Sequence, residues 1–155
     1  MKKLIITSFV LFLVFMEAQA QQVEYKIVTS VESIVPGGLG RSRIIDATGT
    51  KDFSELTSER SAENNKQNKS SRKSAKVDDF EETKLLNFFS IAGINFQNIA
   101  SNDALLSSKV NDLINQGWDL AFVTSGVESD AGKGDGQGIF VTRFIFKRTA
   151  ENNPE

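Results

Sequence analysis

Val23, Tyr25, Ile27, Thr29, Val31 and Val35 share one parity of the chain, while Glu24, Lys26, Ser30 and Glu32 take the other. Alternation of period two with β-branched residues predicts a half-buried strand over 23–35. Pro36-Gly37-Gly38-Leu39-Gly40 interrupts it, and Arg41 to Ala47 (RSRIIDA) return as a second strand. The clearest helical pattern covers Asn102 to Gln116, where Leu105, Leu106, Val110, Leu113 and Ile114 gather on one side at about 100° per residue. Ser101 or Asn102 would cap it, with Asp103 against the positive end of the dipole. Gly117 is placed for the left-handed residue after the helix, and Trp118 for the apolar contact back to Leu113. Trp118 to Val127 and Ile139 to Arg148 are rich in aromatic and β-branched residues and predict an antiparallel hairpin. Trp118, Leu120 and Phe122 would share the face under the helix.

Between these elements the pattern is weaker. Asp79 to Ile91 (DFEETKLLNFFSI) begins with a capping-box-like Asp79 and Glu82 and continues too densely apolar for a clean period; a short helix is expected. Gly93 to Phe96 reads as a connector whose apolar side chains pack onto the core. Residues 61–77 (SAENNKQNKSSRKSAKV) hold five Lys or Arg, one Glu and almost nothing large and apolar. A segment that cannot bury surface does not offset its ordering entropy, so a flexible loop is expected over about 60–78. Its positive charge fits an anionic partner in principle, but a solvated loop is the commoner outcome. Nucleic acid is not expected, since no aromatic side chains are interleaved for stacking.

The N-terminus adds an address. Lys2 and Lys3 precede an apolar stretch of 13 residues, Leu4 to Met16, and Ala18-Gln19-Ala20 supplies small residues at −3 and −1. That is the pattern of a secretory signal cleaved after Ala20. The stretch is short of the roughly 20 apolar residues of a spanning helix, and with no cysteine there is no site for bacterial lipidation. The mature domain is expected over 21–148, periplasmic or secreted, with 149–155 a flexible tail and no stable membrane anchor.

The whole chain has 155 residues, 18 Lys and Arg against 20 Asp and Glu, and neither Cys nor His. Loss of Lys2, Lys3 and Glu17 with the leader moves the net charge from −2 to −3. Absence of Cys and His excludes disulfides, thiol nucleophiles, Ser-His pairs and the usual N/S zinc sites. Two loops then invite chemistry. Glu128 to Gly138 (ESDAGKGDGQG) offers Glu128, Asp130 and Asp135 as oxygen donors, but lacks calcium-loop spacing and a closing Glu. Gly126 and Gly132 are one residue too far apart for a phosphate loop, and Lys133 is followed by Gly134. The 37–43 turn joins backbone amides to Arg41 and Arg43, a possible nest for a carboxylate or phosphate, although a hairpin turn needs glycines in any case. Nothing sets two of Asp46, Asp119, Glu128, Asp130 and Asp135 across a shared cleft, so no catalytic residue, metal or cofactor is assigned.

Leu113-Ile114-Asn115-Gln116-Gly117-Trp118-Asp119-Leu120, followed later by Phe144-Ile145-Phe146-Lys147-Arg148, resembles a family of very small bacterial domains of unknown function. Their helix ends in Leu-x-x-x-Gly-Trp-Glu-Leu and their last hairpin closes on Phe-Lys-Arg; Asp119 stands here for the Glu. Their opening Glu-Tyr-Lys-Val-Val is similar to Glu24-Tyr25-Lys26-Ile27-Val28. The whole chain also resembles uncharacterised secreted proteins of Bacteroidetes-type bacteria. The resemblance implies a βαββ core and brings no activity.

The expected fold is therefore α+β and two-layered. A four-stranded, mainly antiparallel sheet carries one principal helix and a long flexible insertion. The expected function is a non-catalytic envelope module that binds a protein partner or itself. The alternatives are a binder of a small anion or Ca²⁺ at the two loops and, less favoured, a carboxylate-dependent hydrolase.

Overall fold

The structure is a computed structural model, and it describes residues 22–33, 42–64, 66, 68–90, 92–128 and 138–150. It is α+β. Strand β1 (Val23–Ser33), β2 (Arg43–Ala47), β3 (Phe80–Lys84), β6 (Asp119–Glu128) and β7 (Ile139–Thr149) form a five-stranded sheet in the order β3-β2-β1-β7-β6. Every pairing is antiparallel. Two short strands, β4 (Phe89–Ser90) and β5 (Gly93–Ile94), pair with each other, and helix α1 (Phe96–Asn115) follows them. A 3-10 turn over Phe53–Leu56 is capped by Asp52, whose carboxylate accepts from the Ser54 N–H. From there to Asp79 the described residues form neither strand nor helix and stay largely exposed.

The fifth strand comes from the segment expected as a helix. Phe80 to Lys84 pairs with β2 instead, and beyond it the Leu85 N–H donates to the Ser42 carbonyl. Side-chain amides take over the capping role. Asn95, not Ser101 or Asn102, is the N-cap of α1, its Oδ1 accepting from the Asn98 N–H. The helix thus starts six residues before the predicted Asn102, and that residue lies buried inside it. Ile94 and Phe96, expected to pack down, are exposed.

The helix ends as its sequence demands. Gly117 has φ +85°, a conformation without steric cost only for glycine. Its N–H donates to Ile114 O, and the Trp118 N–H donates to Leu113 O at 3.0 Å, the paired bonds of a Schellman ending. Trp118 and Leu113 then join Val28, Ile44, Leu85 and Phe146 in one buried cluster, flanked by Leu106, Val110 and Phe144. Complete burial of such side chains contributes about 1.5–3 kcal/mol each.

All of this core lies on one face of the sheet. The register sets Val28 opposite Phe144 and Asp46, and Lys26 opposite Phe146. The helix-covered parity of β1 is therefore Glu24, Lys26, Val28, Ser30 and Glu32. Val23, Tyr25, Ile27, Thr29 and Val31, the apolar parity, point the other way. On β6 the register shifts between Leu120 and Phe122, a bulge that moves Phe122 away from the face of Trp118 and Leu120.

Candidate functional site

Two arrangements concentrate unusual chemistry, one on each face. Under the helix, Asp46 follows Ile44 by two residues on β2 and so shares its buried face; it is 3% exposed. Its Oδ1 lies 2.6 Å from Lys26 Nζ and its Oδ2 lies 2.8 Å from Lys109 Nζ. Lys109 also donates to Glu81 Oε2 at 3.1 Å. Burial pulls the Lys109 ammonium down, but hydrogen bonds to Asp46 and Glu81, with their charges, outweigh it and hold its pKa above the ordinary 10.5. A carboxylate between two ammonium groups is neutralised in place. It ties β1, β2 and α1 together by charge, with a hydrogen bond to Lys109, while its buried Oδ1 faces Lys26 without a hydrogen-bond partner.

A second polar cluster lies nearby. Asn102, 1% exposed, accepts from the Leu86 N–H at 2.8 Å and donates to the Leu86 carbonyl at 2.7 Å and to Glu32 Oε1 at 3.1 Å. Its amide satisfies both backbone groups of Leu86, as a neighbouring strand would. Ser42 Oγ accepts from the Ser33 N–H and donates to Asn87 Oδ1, and Asn98 donates to the Asn87 carbonyl. At the other end of the sheet, the Arg148 guanidinium sits 4.2 Å from the Trp118 ring centre, and its Nε donates to Glu24 at 2.8 Å.

Grooves run along both sides of α1. One, of about 650 Å³, is lined by Leu106, Val110, Asn111 and Phe144 among others. The other, of about 280 Å³, lies over Ile44, Thr83 and Lys109. Both are open to solvent. Among the described residues no group of three or more acidic, His or Cys side chains converges as a metal site.

The opposite face has no layer on it among the described residues. Tyr25 is 68% exposed and Phe122 is 62% exposed, with Val23, Ile27 and Phe80 also open. Its charges are Arg143, exposed between Thr29 and Thr124, together with Lys147 beside Asp119, Lys84, and Arg43 in an ion pair with Glu82.

Of the residues predicted to bind a ligand, Arg41, Asp130 and Asp135 lie outside the described residues, and so does most of the 37–43 turn and of the 128–138 loop. Glu128 ends β6. Arg43 opens β2, and the two strands are separated in the sheet by β1 and β7. Sequence reasoning did not single out Lys26, Lys109 or Ser42, and treated Asn102 only as a cap. The available signal was the acidic residue two positions after Ile44, on the parity of that apolar side chain. Compared with known protein families, curated proteins and solved structures, the chain matches none. No helix among the described residues is long and apolar enough to cross a membrane.

Proposed function

We propose that this is an exported, non-catalytic envelope module, periplasmic or secreted, which works by presenting the bare sheet face to a protein partner or to another copy of itself. One observation carries the reading: the apolar parity of β1 points away from the helix, with Tyr25 68% exposed. A half-buried strand ordinarily buries its apolar parity, and contiguous exposed apolar surface marks an interaction site more often than it decorates a monomer. The N-terminal pattern of Lys2, Lys3, Leu4–Met16 and Ala18-Gln19-Ala20 supports export. Lack of Cys and His in the sequence narrows the catalytic repertoire.

A photo-crosslinking amino acid at Tyr25 or Phe122, in producing cells, tests the reading. Crosslinks to a discrete protein are expected from both positions, with none from Asn111 on the helix. Equal, diffuse labelling from all three positions would overturn it.

A further inference from the structure

The two edges of the sheet are built differently. β3 is five residues long and carries Glu81, Glu82 and Lys84, all exposed. Charges on a short edge strand deter another chain from pairing there. β6 is ten residues long, and from Leu120 to Val127 it carries no charged side chain. Among the described residues it has a strand neighbour on one side only, so alternate N–H and C=O groups along its other side have no described strand to pair with. Leu120, Phe122, Val123 and Val127 are all exposed, and they divide between the two faces of the sheet. A layer stacked on one face would cover only part of them. A strand lying alongside would shield both faces at once.

We infer that β6 is the seam of a two-fold homodimer, pairing antiparallel with β6 of a second copy so that two five-stranded sheets become one. The inference shares with the reading above only that the chain associates; it goes beyond the bare face to the sheet edge and commits that edge to one strand and one occupant. Three features select a second copy. Antiparallel pairing of a strand with itself is isologous, so it closes at two, and the charged β3 edge stops growth at the far side. With no charge between Leu120 and Val127, nothing along the seam repels its own copy. The third feature is steric fit about a two-fold axis through Thr124. In that register Thr124 faces Thr124, a favourable cross-strand pair, and Val123 faces Ser125. Phe122 then lies opposite Gly126, where an added Cβ would meet nothing within 4 Å. An aromatic ring laid over a strand glycine covers backbone that the glycine leaves bare.

The test uses the full chain and four variants. In sedimentation equilibrium the wild type is expected to pass from monomer to dimer with rising concentration. Thr124→Lys should remain monomeric with an unchanged circular dichroism spectrum, whereas Thr83→Lys on the opposite edge should dimerise like the wild type. The chain has no cysteine of its own, so Thr124→Cys with a short bis-maleimide should yield covalent dimer at least tenfold faster than Tyr25→Cys. A wild type that stays monomeric, or a Thr124→Lys variant that dimerises normally, overturns the β6 seam. Dimer crosslinked through Tyr25→Cys but not Thr124→Cys assigns self-association to the bare face, overturning the seam and leaving the association reading intact. A monomer that also gives no specific photo-crosslink from Tyr25 overturns both.

Discussion

The two faces of the sheet invert the usual division of labour. Beneath the helix, β1 contributes Glu24, Lys26, Ser30 and Glu32 with a single large apolar side chain, Val28. On the bare side the same strand contributes Val23, Tyr25, Ile27 and Val31. The covered face makes up its apolar content from elsewhere, with Phe146, Ile44, Leu85, Leu113 and Trp118, and it gives Lys26 and Glu32 partners in Asp46 and Asn102. Hydrophobic content on one strand therefore does not decide which face a helix covers. The sum over neighbouring strands and the supply of polar partners decides it.

The sharpest way to break this contrast is to truncate matched residues on the two faces. Phe146→Ala, at 0% exposure, should cost about 3–5 kcal/mol in urea denaturation. Phe122→Ala, measured at a concentration where the chain is monomeric, should change stability by no more than about 0.5 kcal/mol. Equal losses would mean that the bare face is buried within the monomer. Asp46→Ala should cost about 3–5 kcal/mol, because it leaves Lys26 and Lys109 without their shared counter-charge. Replacing all three residues with Leu or Met should restore most of that loss. Asn102→Ala should cost about 1–3 kcal/mol, since the backbone groups of Leu86 lose their partner; native-state hydrogen exchange at Leu86 would report it locally.

The smallest effect is on pH dependence. Lys109 has its pKa raised above 10.5 in the folded state, so its contribution is complete below the unfolded-lysine value and disappears as pH rises through the higher folded value. The denaturation midpoint should fall in that alkaline window. Lys109→Met should flatten the fall, and an unchanged profile would remove the residue from the electrostatic account.

Much of the architecture was legible in the chain. The alternation that becomes β1 over Val23–Ser33, the β6–β7 hairpin and the Gly117-Trp118 helix ending each depend on local periodicity or on a single backbone conformation. What escaped depended on distant partners. Asp79 to Lys84 becomes a strand because β2 offers it a ladder, which no local propensity encodes. The early start of α1 depends on Asn95, one of several asparagines in the stretch able to cap. Phe122 changes face through a bulge at Ala121, which alternation alone does not reveal. Of the expected site, Arg43 turned out to be held by Glu82 on β3, a pairing visible only once β3 exists. The Lys26–Asp46–Lys109 cluster joins residues remote in sequence, and its one local clue was the parity of Asp46 with Ile44.

The longest ladder in the sheet, from Val23 opposite Thr149 to Ser33 opposite Ile139, joins the first and last described strands. The centre of the sheet cannot zip until β7 is available, so a chain still emerging from a ribosome holds β1 with no permanent neighbour on that side. Contacts of such sequence separation make folding slow. Delay of that kind keeps a polypeptide threadable, and the order in which the strands meet would let the proposed export run to completion before the fold closes behind it.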